Sequence, residues 1–161
     1  MEEAARLMAE PIDLDEVDLA VIHQLQIDGR APYSKLGPAV GLSQAAVRQR
    51  VQRLIEHGVM QVVAVTDPYQ LGFKVQAMVG IRAEGSVKAV AAGLSEIEDV
   101  EYVVITAGRY DILAEVVSKD THELFDLVND QIRTIAGVAS TEIFTYLSLV
   151  KQTYSWDPRG A

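Results

Sequence analysis

The second half of the 161-residue chain says the same thing twice. A β-prone run at Val75–Arg82, a helical pattern at Ser86–Glu96 and another β-prone run at Glu101–Ala107 come first. The same three parts return in the same order at Asp111–Ser118, Thr121–Thr134 and Ala139–Val150. Both helices leave through matching turns, Ile97-Glu98-Asp99-Val100 and Ile135-Ala136-Gly137-Val138, 38 residues apart. Two βαβ units joined by a tight hairpin at Gly108-Arg109-Tyr110 predict a ferredoxin-like βαββαβ sheet with both helices on one face. The runs Tyr102-Val103-Val104-Ile105 and Ile112-Leu113-Ala114 are apolar at successive positions, hence on both faces of that sheet. Helices on one side cannot cover both, so a second copy of the domain is expected on the other face, making a homodimer.

Upstream of Asp67-Pro68 the pattern is different. Ser34–His57 reads as a short helix, a turn at Gly41 and a second helix. Ser34 is the expected cap of the first helix and Ser43 of the second, and Gly41 offers the positive φ of the turn. Gly37-Pro38 is an odd pair for a helix interior, since Pro38 lacks an N–H there, so the first helix should be short. Val47, Val51, Leu54 and Ile55 fall at i, i+4, i+7 and i+8, one buried stripe. Ala45, Gln49, Gln52 and Arg53 then lie opposite it, with Arg48 and Arg50 on its flanks. A third helix is predicted from a cap at Asp15 to about Asp28, with Leu14, Val21, Ile22 and Leu25 on one face and Gly29 past its end.

Three helices with this turn are helix-turn-helix grammar, and charge says what the second helix is for. Between Arg30 and Ile55 stand five basic residues, Arg30, Lys35, Arg48, Arg50 and Arg53, and no acidic one, in a chain of net charge −9. A basic island in an acidic protein is what contact with phosphate requires, because the overall repulsion must be overcome at the docking surface. Double-stranded DNA is the expected partner.

Between the two halves, Val59–Val65 is β-prone and reads equally as a wing of the first domain or as a strand leading to the second. The expected domains are therefore an N-terminal arm at 1–12, a helix-turn-helix domain at 13–66 and a ferredoxin-like domain at 67–161. Nothing in the text suggests catalysis: there is no G-x-S-x-G, no H-E-x-x-H and no phosphate-cradling glycine loop. Cysteine is absent, which removes disulfides and thiolate chemistry, and His23 and His57 lack an i+4 partner, so no metal is expected. No apolar run reaches the ~20 residues of a membrane span and residues 1–10 lack a signal peptide's apolar centre, which predicts a cytoplasmic protein without a membrane partner.

The order of these parts, from about Asp13 to Thr153, resembles the Lrp/AsnC, or feast/famine, transcription regulators. Five pieces carry the likeness: L-D-E-V-D from Leu14, V-G-L-S-Q-A-A-V-R-Q-R-V-Q-R-L-I-E-H-G-V-M from Val40, D-P-Y-Q-L-G-F from Asp67, T-A-G-R-Y-D at Thr106–Asp111 and A-G-V-A-S-T-E at Ala136–Glu142. Each alone is weak, whereas all five in this order are specific. The resemblance implies an α+β chain with a winged-type helix-turn-helix domain followed by a ferredoxin-like effector-binding domain. It also implies dimers that assemble into octamers, and an amino-acid effector bound between dimers. Some members organise chromosomal DNA with little regard to ligand, which is the alternative reading. Two departures stand out: Gly37-Pro38 replaces the family's usual Leu-Ala, and Arg109 fills the variable place in Gly-x-aromatic-Asp.

Two sets of residues follow. Ser43, at a helix N-terminus, is expected on a phosphate. Gln44, Ala45, Arg48 and Gln49 stand nearest base edges, where Arg suits guanine and Gln adenine. Gln52 and Arg53, further along, are expected on the DNA backbone, while Arg50 is a candidate for a structural salt bridge. For the effector, the resemblance assigns Asp111 to the ammonium, the backbone of Thr106, Ala107 and Gly108 to the carboxylate, and Tyr110 to the pocket wall. The residues taken by themselves favour a plain turn at Gly108 and Asp111.

Overall fold

The computed structural model describes residues 12–153. They form two compact units, residues 12–64 with Gln152 and Thr153, and residues 65–151. Those last two residues thus group with the first unit although the sequence places them in the second domain. The expected arm at 1–12 lies outside the described residues except for Ile12, which packs against the first unit's core.

Three helices make the first unit: α1 (Glu16–Ile27), α2 (Tyr33–Ala39) and α3 (Gln44–Glu56). Asp15 caps α1 as expected and more completely, because Asp15 accepts from the Asp18 N–H at 2.7 Å and Asp18 accepts from the Asp15 N–H at 3.2 Å. Gly29 follows Asp28 without a positive φ, so it is not the left-handed cap that its position suggests. Helix α2 begins one residue before Ser34, whose side chain does not cap it: Pro32 holds the N-cap place, its φ of −67° set by the ring, and no side chain caps the helix. Pro38 is tolerated because the helix ends at the next residue. Gly37 has a reason that periodicity does not reveal. A Cβ there would stand 2.6 Å from the Leu42 carbonyl oxygen, so the turn into α3 closes against bare backbone. Gly41 has φ +72° and Ser43 Oγ accepts from the Ala46 N–H, as the motif predicts. Val21, Leu25, Leu36, Val47, Val51 and Leu54 form the core, with Leu14, Ile22 and Ile55 packed beside it.

No strand forms between Val59 and Asp67. The expected wing or linker strand is an unpaired segment with Val62, Val63 and Val65 exposed, because no strand among the described residues offers it a ladder.

The second unit opens with a short 3-10 turn (Pro68–Leu71) and continues β1 (Val75–Ala83), α4 (Val87–Leu94), β2 (Val100–Ile105), β3 (Ile112–Ser118), α5 (Thr121–Asp126) and β4 (Val138–Thr145). The sheet order β2-β3-β1-β4, with every pair antiparallel, is the ferredoxin-like arrangement that the repeat predicts. The two turns match bond for bond: the Val100 N–H donates to the Ile97 oxygen and the Val138 N–H to the Ile135 oxygen, both at 3.1 Å. Helix α5 passes into a π turn at Leu127–Ile132 rather than running as one α-helix to Thr134, which brings Leu127, Val128 and Ile132 inward together. Strand β4 stops at Thr145, not Val150, because its partner β1 starts at Val75 and the last pairing bond runs from the Tyr146 N–H to the Gln76 oxygen. Val79, Ile81, Ala114 and Val116 from the sheet meet Val90, Leu94, Leu124 and Ile132 from the helices in a single core.

Candidate nucleic-acid interface and the β2–β3 hairpin

The face of α3 away from its core is polar, with Ser43, Gln44, Ala45, Arg48, Gln49 and Gln52 all exposed. Ser43 keeps its hydroxyl oxygen on the Ala46 N–H at 3.2 Å, and Gln52 donates to Glu56 Oε1 at 3.0 Å. Gln44, Ala45, Arg48 and Gln49 therefore form one surface patch on the first two turns, as the spacing predicts.

Arg53 does not join it. Its guanidinium runs back to α1, where Nη2 donates to Asp18 Oδ2, and its Nε is buried without a partner. The helical wheel puts Arg53 on the outer face, but α1 crosses there and takes the charge. Arg53 thus carries a structural bond to α1 while its side chain stays 42% exposed. Arg50 behaves as anticipated, with Nη1 donating to both Asp18 Oδ1 and Asp15 Oδ2 at 2.7 Å. Asp18 is wholly buried and is the centre of this cluster. The Asp18 N–H, and then the Arg50 guanidinium, hold the Asp15 carboxyl below the ordinary carboxylate range. Asp18 first and Asp15 second raise Arg50 in turn. Sequence reasoning missed Asp18, although a signal was there: two acids three apart on α1 (Asp15, Asp18) and two bases three apart on α3 (Arg50, Arg53).

Of the five island cations, Arg30, Lys35 and Arg48 thus keep their charge outside the Asp18 cluster, and Arg48 alone of these stands on α3. Arg48→Ala is expected to lower affinity for a specific duplex by about 1–3 kcal/mol and to relax sequence choice. Titration against specific and random duplexes checks this, and equal loss on both would make Arg48 a backbone contact.

In the second unit the β2–β3 hairpin, Thr106–Asp111, is tied by its own polar groups. Thr106 Oγ1 donates to the Tyr110 oxygen at 2.6 Å and the Thr106 N–H to the Asp111 oxygen at 2.8 Å. The β1–β4 register shifts between Arg82 and Ala83, and the Ala83 N–H is taken by Asp111 Oδ2 at 2.9 Å. Asp111 is thus the turn residue that the pattern alone favoured, and its Oδ1 has no partner among the described residues. Ala107 and Gly108 are exposed. A Cβ on Gly108 would meet nothing within 4 Å, and its φ is not positive. Tyr110 lies flat over β1, on the sheet face away from the helices. Its ring covers Gly80, donates its hydroxyl to Glu142 and meets the Phe144 ring edge-on at 5.9 Å, while the Arg109 guanidinium stands 5.9 Å from it. The same open face carries Glu115, which accepts from Gln76 at 2.9 Å and hydrogen-bonds Tyr146. Burial first, then Glu115, push the Tyr146 hydroxyl up to about 12.

Known proteins share both units. Residues 14–55 match the AsnC-type helix-turn-helix domain and residues 73–159 a C-terminal dimeric alpha+beta barrel domain. A helix-turn-helix transcriptional regulator of Pyrococcus horikoshii is 33% identical over 146 residues, 89% of this chain and 92% of that one. The leucine response regulatory protein LrpA of Mycobacterium tuberculosis superposes with a TM-score of 0.83 at 32% identity, covering 90% of this chain and 100% of that one. A transcriptional regulator of Neisseria meningitidis, solved in complex with L-Met, shares the fold with a TM-score of 0.79 at 23% identity over 89% of this chain and 96% of its own. Among the described residues no helix is long and apolar enough to cross a membrane. Sequence and fold together place the chain in the Lrp/AsnC family of DNA-binding transcriptional regulators, which are not enzymes.

Proposed function

We propose that the protein is a sequence-specific cytoplasmic regulator that pairs through the open face of its sheet, assembles further to an octamer, and senses an amino acid at the β2–β3 hairpin. One observation carries the sensing. Gly108 leaves backbone exposed that the fold of one chain does not need bare, beside an Asp111 oxygen without a partner among the described residues. A zwitterion asks for that pair, N–H donors for its carboxylate and a carboxylate for its ammonium. The M. tuberculosis relative's name and the Neisseria protein's L-Met support the reading. Pairing is supported by the dimeric domain matched at residues 73–159 and by Tyr102 and Phe144, aromatic and half-exposed on the open face.

A second reading has its own observation. Asp111 Oδ2 is already bonded to the Ala83 N–H of β1 and the Thr106 hydroxyl to the Tyr110 oxygen, which suits a DNA-packing protein whose second unit serves only assembly. Heating the protein with each free amino acid separates the two. An effector at ~100 times its Kd should stabilise the folded state by about 2.7 kcal/mol, whereas a packing protein's melting temperature stays put with all of them.

A further inference from the structure

Two carboxylates share one nitrogen of Arg50, and they are unlike. Asp18 is buried between α1 and α3 and holds Arg53 as well. Asp15 stands at the outside, its side chain 53% exposed, with Oδ2 on Arg50 and Oδ1 on the Asp18 N–H. The fold therefore needs one oxygen of Asp15 for the helix cap and leaves the other for the guanidinium. Arg50 itself is 29% exposed and lies on the flank of α3 beside the reading face. The outer pair with Asp15 is weak and exchanges easily while Asp18 holds Arg50 from the inner side, and a guanidinium donates to phosphate oxygens in the same geometry as to carboxylate oxygens.

We infer that Asp15 is an internal stand-in for a DNA phosphate: it occupies Arg50 in the free protein and so holds down affinity for duplex DNA of any sequence. The inference rests on α3 being the reading helix. Competition at Arg50 lowers binding to specific and random DNA alike, because a phosphate contact carries no sequence information. Base readout by Arg48 and Gln49 is untouched, so the ratio between the two is preserved while unproductive binding along the chromosome falls. A module with Arg50 and Arg53 drawn back to α1 thus relies on fewer counterions released, and on more base contact, than its five cations suggest.

Asp15→Asn tests this without disturbing the cap, since asparagine is an equal N-cap and keeps Oδ1. On the full chain the variant should stay folded and melt slightly below wild type, losing only what the ionised carboxylate contributes. Its log K against log salt plot should steepen by about 0.9 on random and specific duplexes alike, one further phosphate contact. Asp13 and Glu16 also crowd this end of α1, so removing any acid there relieves general repulsion. The same substitution in an Arg50→Gln background separates the effects: the steepening should vanish. Persistence of the steepening without Arg50 would make it general repulsion and overturn the inference, as would an unchanged slope in a folded Asp15→Asn. A wild type that binds no duplex at low salt would sink the DNA-reading assignment of α3 itself, and the inference with it.

Discussion

Asp18→Ala should unfold the helix-turn-helix unit at ordinary temperature and leave the second unit folded. Asp18 is wholly buried, and its oxygens take the Asp15 N–H, Arg50 Nη1 and Arg53 Nη2. Alanine would leave the Arg53 guanidinium partnerless in a site where its Nε is already buried unbonded. Removing one partner of a fully buried ion pair costs about 3–5 kcal/mol, and here the partner removed is the buried one while Arg50 and Arg53 are 29% and 42% exposed, so the cost reaches at most that range. A unit with so small a core holds a total at the low end of ~5–15 kcal/mol, so the loss is of the same order as its stability. Urea unfolding followed by far-UV circular dichroism should show two transitions in the wild type and only the later one in the variant. An unchanged first midpoint would mean that the cluster contributes nothing. Acid should weaken the same unit in the wild type. The Asp15 carboxyl titrates below its ordinary value when folded, so its contribution is complete above that ordinary value and disappears as the pH falls through the folded one.

The second unit was legible because its pattern is local and duplicated. Each strand and helix announces itself by β-branched runs and by Ser86 or Asp120 caps, and the repetition of Ile97 and Ile135 fixes the pairing of halves. What sequence could not fix was non-local in every case. Val59–Val65 has the propensity of a strand, yet propensity does not supply a ladder, and among the described residues no strand pairs with it. Tyr146–Val150 is as β-prone as the residues before it, but β1 is too short to pair with it.

Helix α3 divides the same way. Its buried stripe and its cap follow from spacing within one helix, so Val47, Val51, Leu54 and Ser43 came out as expected. Arg53 is a matter of what crosses above it. Only the matching three-residue spacings of Asp15 and Asp18 with Arg50 and Arg53 pointed to α1, and that signal has meaning once two helices are laid side by side. At the hairpin the resemblance and the residues pull in different directions, and the structure gives Asp111 a firm role in the turn through Ala83. A carboxylate has two oxygens, and that role uses one. Gly80 had no sequence signal at all, since its cause is a side chain 30 residues away.

That glycine supports the last prediction. Gly80→Val should destabilise the second unit by about 1–3 kcal/mol and, if the open face is where two copies meet, separate the dimer as well. A Cβ at residue 80 would stand 2.8–2.9 Å from the first atoms of the Tyr110 ring, where the side chain is least able to swing away. The ring must then lift off the sheet, and its bond to Glu142 and edge contact with Phe144 go with it. Sedimentation at micromolar concentration reads the assembly and thermal melting reads the fold. Tyr110→Ala supplies the control: in that background the valine meets an empty place, so its additional cost should shrink, a coupling of the size that contacting residues show, about 0.5–3 kcal/mol. Strictly additive losses in the double variant would mean that the ring does not rest on Gly80. A monomer produced by Gly80→Val with an unchanged melting temperature would instead make Tyr110 an assembly contact that the fold of the single chain does not use.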